Sequence, residues 1–586
     1  MTARQTGMAT VSMGEKTLRT FPARTYGEVC DRITELFPED TAPFALALLT
    51  GNTEQLSYGF RNRMSLAGIS HVVAVSGMHV SLICSLVLNL CLRRKRLAAA
   101  LCLLAMWFFG AMLGFSPSVT RAVVMNSVLL MAPILRREYD SPTALGFALL
   151  ILLLKNPFSV ASPGLQLSFA SVAGILLVTT PLTNWLRESL SQALQERKIL
   201  WGICSFLFTS VATTLGASLC TIPLVAYYFG TVSLISFVSN LLLLPLISLI
   251  FTLGYPLLLL SYCVYPVAQA IAGSMSITIR WVVKAINFLG EIPYGALYSR
   301  SVYAVLWLIT TYCLLGLGVL LKRRGIAVLL SVSLLISVPF LQKIHVEAFR
   351  FTMLDVGQGQ CLMTETGNSV AIIDCGGSMD DASGEEAARE LLSRGYRSVE
   401  ALILTHFDRD HAGGVLQFME RIQVQYLYLP DISPEDPRRE QILQKAEEQQ
   451  VPVRWVQEDV QLTFDGGTTL DIFAPVQTKS ENDGLCLLLS GADYDILVTG
   501  DLSVAGERKL IQTKALPDLE ILIAGHHGAA DSTGQALLEH TMPEELLISV
   551  GVNSYGHPDP KVLERAENLG IRVRRTDREG TITITR

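Results

Sequence analysis

The stretch Leu404–Val415, reading LTHFDRDHAGGV, sets His406, Asp408, Asp410 and His411 within six residues. Two further motifs carry the same side-chain types, Thr499-Gly500-Asp501 and Gly525-His526-His527-Gly528. The chain has nine histidines, and five of them (His406, His411, His526, His527 and His557) fall in short motifs downstream of Phe351. A charged surface loop accounts for any one of these stretches alone, and a glycine-flanked His-His pair is weak evidence by itself. The three in this order point to metal ligation. Imidazoles mixed with carboxylates suit Zn²⁺ or Mn²⁺. A bridging Asp501 would hold two ions about 3.5–4 Å apart, which lowers the pKa of a shared water and clamps the oxygens of a phosphoryl displacement. The expected ligands are His406, Asp408, Asp410, His411, Asp501 and one of His526 and His527, around two divalent ions, with Asp410 also a catalytic candidate.

Each motif follows an apolar run. Val399–Leu404, Tyr494–Val498 and Leu519–Ala524 read as buried strands, and Gly413-Gly414 predicts a tight turn into a helix. Upstream, Phe351–Met363 and Ser369–Asp374 read as hairpin strands followed by a helix over Gly384–Ser393. Strand pairs followed by strand–helix alternation argue for a layered α/β fold. The ligand-bearing strands are expected to share one sheet and to end on the same side of it. Asp374, at a strand end beside glycines, either enters the cleft or caps its turn. Asn553 and His557, in the loop Ser549–Pro558, either donate to a scissile phosphate or a leaving oxygen, or brace the loop.

The scaffold for these motifs occupies less than half of the chain. With 50% hydrophobic residues and a mean hydropathy of +0.41, the chain reads as a membrane protein with a soluble part. Residues 1–345 carry 25 Lys and Arg against 12 Asp and Glu, whereas residues 346–586 carry 21 against 40. A basic membrane half therefore precedes an acidic soluble half, which is a poor general grip for phosphate. The expected divisions are an N-terminal tail and interfacial segment (1–65), a polytopic membrane domain (66–345) and a soluble domain (346–586). The first of these lacks the features of a secretory signal. It includes a short helical piece at Ala42–Thr50.

On the order of ten spans are expected: Ile69–Leu92 and, by number, 97–115, 119–135, 142–154, 164–183, 200–222, 231–262, 265–290, 301–321 and 326–342. The long run 231–262 has room for more than one crossing. Basic clusters at Arg93–Arg96, Arg136-Arg137, Arg197-Lys198 and Lys322–Arg324 are expected on the cytoplasmic side. The last span then carries the soluble domain outside the cytoplasmic membrane. Eleven cysteines without CxxC spacing give no disulfide framework. Cys361 and Cys375 lie on neighbouring predicted strands, either paired or as core thiols.

Polar groups within the apolar half need partners, because buried ionisable groups are costly in hydrocarbon and usually face a bundle interior or a water-filled cavity. Ser76, His79, Arg121 and Gln166 are the candidates for a pathway through the membrane. The alternative is that neighbouring helices satisfy each of them.

Three stretches of this half resemble the ComEC-type DNA-internalisation competence proteins: Gly68–Val80 (GISHVVAVSGMHV), Ser116–Ala122 (SPSVTRA), and Asn156-Pro157 followed by Leu165–Phe169 (LQLSF). The resemblance covers about residues 40–586 and extends to Asp408 in the second ligand position and to the Ser549–Pro558 block. It implies a helical channel followed by a metallo-β-lactamase-like αββα domain. It does not include the oligonucleotide-binding-like domain that many members carry at the N-terminus, so DNA capture is expected from another subunit or from upstream residues. Gln360 stands where the family usually has Asp, Gly484 where it has Ser, and Ala529-Ala530 follows His-His-Gly where Ser is common.

The implied function is uptake of single-stranded DNA across the cytoplasmic membrane, with the metal domain hydrolysing the strand that is not transported. The implied partners are single-stranded DNA, the membrane, a DNA receptor and a cytoplasmic translocation motor. A membrane-anchored hydrolase of another phosphoester or ester, and a channel with a non-catalytic soluble domain, are the alternatives. About ten spans exceed what an anchor needs.

Overall fold

The computed structural model describes residues 20–75, 77–90, 95–189, 198–292, 294–298, 302–321, 330, 334, 349–367, 369–378, 380–476 and 484–585. Two compact units divide the chain, Met1–Ser299 and Arg300–Arg586.

The first unit is helical. Helix Ala42–Thr50 buries every residue but Pro43. It shares one apolar core with Leu243, Ile247 and Phe251 of helix Ser236–Cys263 and with Ala272 and Ile279 of helix Tyr265–Gly290. The segment read as a tail and interfacial piece thus supplies the centre of this unit, because nine residues of mean composition APFALALLT have no polar face to give to water.

Among the described residues, three helices are long and apolar enough to cross a membrane: Pro163–Trp185, Trp201–Phe229 and Ser236–Cys263. The third is a single helix of 28 residues with Pro245 and Pro256 inside it, so the run 231–262 holds one helix rather than two. Gly77–Leu90, Lys95–Met112, Pro117–Met131, Ser141–Lys155 and Val302–Leu320 are also apolar, with lengths of 14–19 residues. Apolar composition runs on through turns. Ser70–Val72 is a short 3₁₀ turn, for instance, and the helix expected from Ile69 starts at Gly77. The predicted span 326–342 lies almost entirely outside the described residues. Ser76, Arg93-Arg94, Arg197 and Lys322–Arg324 lie outside them altogether.

Helices Pro163–Gly174 and Lys198–Phe229 approach so closely that a Cβ on Gly174 would lie 2.0 Å from the Gly216 carbonyl oxygen. Small residues at a crossing permit this approach. The first helix continues through a π-helical segment, Ile175–Thr179, where Thr179 Oγ1 donates to the Ala212 carbonyl at 3.1 Å. A short antiparallel pair, β1 (Thr231–Ser233) and β2 (Ala296–Tyr298), completes the unit.

The second unit is built on two seven-stranded sheets. The first has strands β3 (Phe349–Met353), β4 (Leu362–Thr366), β5 (Ser369–Ile373), β6 (Ser398–Ile403), β7 (Gln423–Pro430) and β8 (Val453–Val456) in spatial sequence, with the C-terminal β16 (Ile582–Thr585) on the outer edge of β3. The second runs from β9 (Val460–Thr463) through β10 (Thr469–Phe473), β11 (Cys486–Ser490), β12 (Asp495–Val498), β13 (Ile521–Ile523) and β14 (Glu545–Ile548) to β15 (Arg572–Arg575). The sheets face each other across an apolar core that includes Phe351, Ile373 and Ile403 of one and Ile472, Leu487 and Ile523 of the other. Helices Asp380–Arg394, Val415–Arg421 and Pro437–Glu448 cover the first sheet, and helices Val504–Thr513, Gln535–Thr541 and Pro560–Asn568 cover the second. Strands buried on both faces read as continuous apolar runs. The result is the αββα layering.

One expectation is corrected by this topology. The ligand-bearing strands do not share a sheet: β6 belongs to the first, and β12 and β13 to the second. Within each sheet the relevant strands run parallel to a neighbour, so their C-terminal ends carry the ligand loops. The motifs meet across the sandwich rather than along one edge.

Candidate metal centre

His406 and His411 follow β6, Asp501 follows β12, and His526 and His527 follow β13. Gly500, at φ +56°, turns the chain so that Asp501 faces inward, and its carbonyl accepts from the His526 amide at 3.0 Å. Two groups of potential ligands result: His406, His411 and Asp501, and Asp410, His411 and His527, the donor atoms of each group lying within 4.8 Å of one another. His411 Nε2 lies 3.0 Å from Asp501 Oδ1, and His406 Nε2 3.5 Å from Asp501 Oδ2. His527 Nε2 is 3.2 Å from Asp410 Oδ2. Asp408 and His526 stand at the rim. Asp408 is about half exposed and 3.9 Å from His406 Nε2, and His526 Nε2 is 3.7 Å from Asp501 Oδ2.

The other ring nitrogen of each inner histidine is already engaged. His411 Nδ1 donates to Asp374 Oδ2 at 2.8 Å, His527 Nδ1 to the Ser549 carbonyl at 2.9 Å, and His406 Nδ1 faces Thr405 Oγ1 at 3.0 Å. These contacts fix the tautomers so that all three Nε2 atoms present lone pairs to the centre, as metal-ligating histidines require. Among the buried side-chain atoms, His406 Nε2, His411 Nε2, His527 Nε2 and Asp501 Oδ1 make no aligned hydrogen bond. Buried polar atoms are almost always satisfied. Four orphaned donor atoms converging on one point therefore fit divalent cations.

The electrostatics agree. Burial works against ionisation of Asp501, yet the adjacent His411 and His406 hold its carboxyl well below the usual range. Asp410 is likewise opposed by burial but lowered by the adjacent His527 and by the charge of His411. Burial alone would lower His411, but the carboxylates of Asp501 and Asp374 raise it well above 6.5. The centre thus draws in a positive charge. A bound cation would take the place of that proton.

Asp374 is the residue that sequence reasoning left undecided between cleft and turn. It is fully buried with a left-handed backbone, φ +57°. Its carboxylate accepts from the Thr405 amide at 2.7 Å and from Thr405 Oγ1, Gln360 Nε2 and His411 Nδ1, each at 2.8 Å. It acts through His411 and Thr405 rather than facing the ions. Gln360, standing where the resembled family has Asp, supplies a donor to this carboxylate instead of a second negative charge. Gly484 abuts the Thr405 carbonyl so closely that a Cβ would lie 2.1 Å from that oxygen, so the serine of the resembled family would displace this backbone.

Asn553 is committed to its own loop. Its Oδ1 accepts from the amides of Tyr555, Gly556 and His557, and its Nδ2 donates to the carbonyls of Gly551 and His557. Of the two roles open to it from sequence, this is the brace. His557 is held by that loop with its ring 5.5 Å from His526, and its buried Nδ1 makes no hydrogen bond. Glu507 gave no signal in the sequence. It is buried on helix Val504–Thr513 and accepts from the amides of Thr533 and Gly534, so it ties the segment after His526-His527 to the helix after Asp501. Burial pushes its carboxyl up to about 7.

The membrane candidates His79, Gln166 and Arg121 are each satisfied by neighbours. His79 is fully buried, with Nε2 3.2 Å from the Leu48 carbonyl and its ring edge-on to Phe251. Gln166 donates to the Val160 carbonyl and accepts from the Tyr228 hydroxyl, both at 2.9 Å. Arg121 Nε donates to Ser168 Oγ at 2.8 Å, and Ser168 Oγ to Ser118 Oγ at 3.0 Å. Among the described residues no carboxylate pairs with Arg121.

Residues 48–325 match the Competence protein family, and residues 354–552 match the metallo-β-lactamase superfamily. The chain belongs to the ComEC-type competence proteins. It is 27% identical over 587 residues to ComE operon protein 3 of Bacillus subtilis (strain 168), covering 93% of this chain and 72% of that protein. To competence protein ComA of Neisseria gonorrhoeae it is 28% identical over 561 residues, covering 92% and 73%. Among solved structures, the metallo-β-lactamase fold protein YhfI from Bacillus subtilis aligns at 12% identity with a TM-score of 0.29, over 40% of this chain and 99% of that one. The ComEC-type order, helical unit first and αββα unit second, agrees with the two units described above.

Proposed function

We propose that this ComEC-type chain conducts single-stranded DNA across the cytoplasmic membrane through its helical unit. Its metal centre hydrolyses phosphodiester bonds of the strand that is not transported. A role in DNA uptake follows from the family. The hydrolytic reading is carried by one observation: four orphaned donor atoms of His406, His411, His527 and Asp501 converge from two sheets.

Two divalent ions, Zn²⁺ or Mn²⁺, would be held by His406, Asp408 and Asp501 on one side and by Asp410, His411 and His527 on the other, with Asp501 shared. Such ions supply an acidified water and a clamp on phosphate oxygens. The chain's own part is orientation. Asp374 fixes the His411 ring, and Ser549 fixes that of His527. His557, held neutral first by its burial and then by the neighbouring imidazoles, retains one ring N–H to offer a phosphate or leaving oxygen. In the hydrolysis the water oxygen bonds to phosphorus, the bond to the leaving oxygen breaks, and the water's proton goes to that oxygen.

The multi-pass inner-membrane topology, with the C-terminal unit outside the cytoplasm, is part of the proposal. So are the DNA receptor and the cytoplasmic motor as partners. Arg121, with no carboxylate beside it among the described residues, is the side chain best suited to meet a passing phosphate. The test uses the full chain in lipid nanodiscs. The wild type is expected to hold divalent metal by elemental analysis and to cleave labelled single-stranded DNA. The double substitution Asp410→Ala, His411→Ala is expected to lose both while remaining membrane-inserted. Unchanged metal content in that variant would overturn the assignment.

A further inference from the structure

The loop that carries His557 projects two large apolar side chains into solvent. Val552 is fully exposed and Tyr555 is 75% exposed. Both side chains therefore stand free to meet a ligand beside the centre. The loop is nonetheless rigidly held. Asn553 makes five hydrogen bonds within it, three of them to the amides of Tyr555, Gly556 and His557. Gly556 takes φ +84°, which only glycine adopts freely, and this lets the chain turn back from Tyr555 to His557.

The rings form a ladder from solvent to the centre. Tyr555 lies 5.8 Å from His557, their planes inclined by 33°. His557 lies 5.5 Å from His526, edge to face. His526 Nε2 is 3.7 Å from Asp501 Oδ2. A phosphodiester seated on the ions would therefore have the adjacent nucleotide within reach of the Tyr555 face.

Resting on the phosphodiesterase reading, we propose that Tyr555, with Val552 beside it, is a positioning residue that stacks one unpaired nucleobase of single-stranded DNA next to the scissile bond. Aromatic faces bind successive bases of single strands without regard to sequence. A base within a duplex already has stacked neighbours on both faces and offers none to Tyr555. The platform thus selects single strands. A pre-ordered loop avoids the entropy of arranging itself on the substrate. The ring ladder favours this occupant over a lipid surface, because it leads from Tyr555 through His557 to His526 at the rim of the centre.

The experiment uses the full chain in nanodiscs and end-labelled oligonucleotides in which a single abasic nucleotide is moved along the strand. The wild type is expected to cleave bonds flanked by a base about 10-fold faster, in kcat/KM, than the same bonds flanked by the abasic nucleotide. Tyr555→Ala is expected to slow cleavage of the intact strand by about the same factor and to abolish the discrimination, with unchanged metal content and thermal transition. Tyr555→Phe is expected to restore both, which a merely structural role of the hydroxyl would not. As a readout independent of cleavage, the emission of the Tyr555→Trp variant should be quenched by the intact strand and not by an abasic polymer. Discrimination that survives in Tyr555→Ala, or Tyr555→Trp emission quenched by brominated lipid and not by DNA, overturns the proposal. A wild type that holds no metal and cleaves neither strand defeats the phosphodiesterase reading instead.

Discussion

Buried polar groups are treated in opposite ways in the two units. In the helical unit, His79, Arg121 and Gln166 each meet a carbonyl or hydroxyl of a neighbouring helix within hydrogen-bonding reach. In the αββα unit, His406, His411, His527 and Asp501 are buried just as deeply, but Nε2 of each histidine and Oδ1 of Asp501 are left without a hydrogen bond while Nδ1 of each histidine is anchored. Satisfaction on every side is what packing demands. Satisfaction on the outer side alone is what a ligand demands, and this asymmetry separates a site from a core more sharply than residue type does.

The contrast is broken most directly by removing the orphaned atoms. Asp501→Ala is expected to cost at least about 10³-fold in phosphodiester cleavage and to release metal, read by elemental analysis and a labelled-strand assay. His79→Ala is expected to leave metal content and cleavage unchanged and to act only on the stability of the helical unit. A loss of DNA uptake in His79→Ala without loss of stability would mean that satisfied groups also carry function.

Next in size is the backbone clamp beneath the metal loop. A Cβ at Gly376 would lie 2.2 Å from the Asp410 carbonyl carbon. Gly376→Ala is expected to destabilise the αββα unit by about 3 kcal/mol, measurable as a lowered melting transition.

Glu507 sharpens the comparison through pH. Its carboxyl is raised by burial to about 7 from an ordinary 4.5, so the folded state holds a proton that the unfolded state has released. The corresponding stability is fully present below about pH 4.5 and is lost as pH rises through about 7, by up to roughly 3 kcal/mol. Glu507→Gln is expected to flatten that part of the pH–stability curve.

The smallest of these effects belongs to Asp374. Asp374→Asn keeps the shape but weakens the hold on His411, and metal affinity is expected to fall about 10–100-fold, by competition with a chelating dye.

The candidate ligands were legible in the sequence because each follows an apolar run, and the strand end is where such runs stop. Asp495–Val498 and Ile521–Ile523 appear within a residue or two of their expected places. Which sheet each strand joins was not legible, since strands buried on both faces look alike whichever sheet they enter. The 3₁₀ turn at Ser70–Val72 was not legible either, because hydropathy measures composition and does not register a turn. Glu507 and the commitment of Asn553 to its own loop depend on backbone amides brought close by tertiary folding, which no side-chain pattern announces.

One consequence of the split between sheets is mechanical. Because His411 hangs from one layer of the sandwich and Asp501 and His527 from the other, an ion held between them rivets the two layers together. Pulling the layers apart must break coordination bonds before it shears the apolar core between them. The loaded domain should resist force, proteases and heat as a single body, and the unloaded one should yield first at the seam between its sheets.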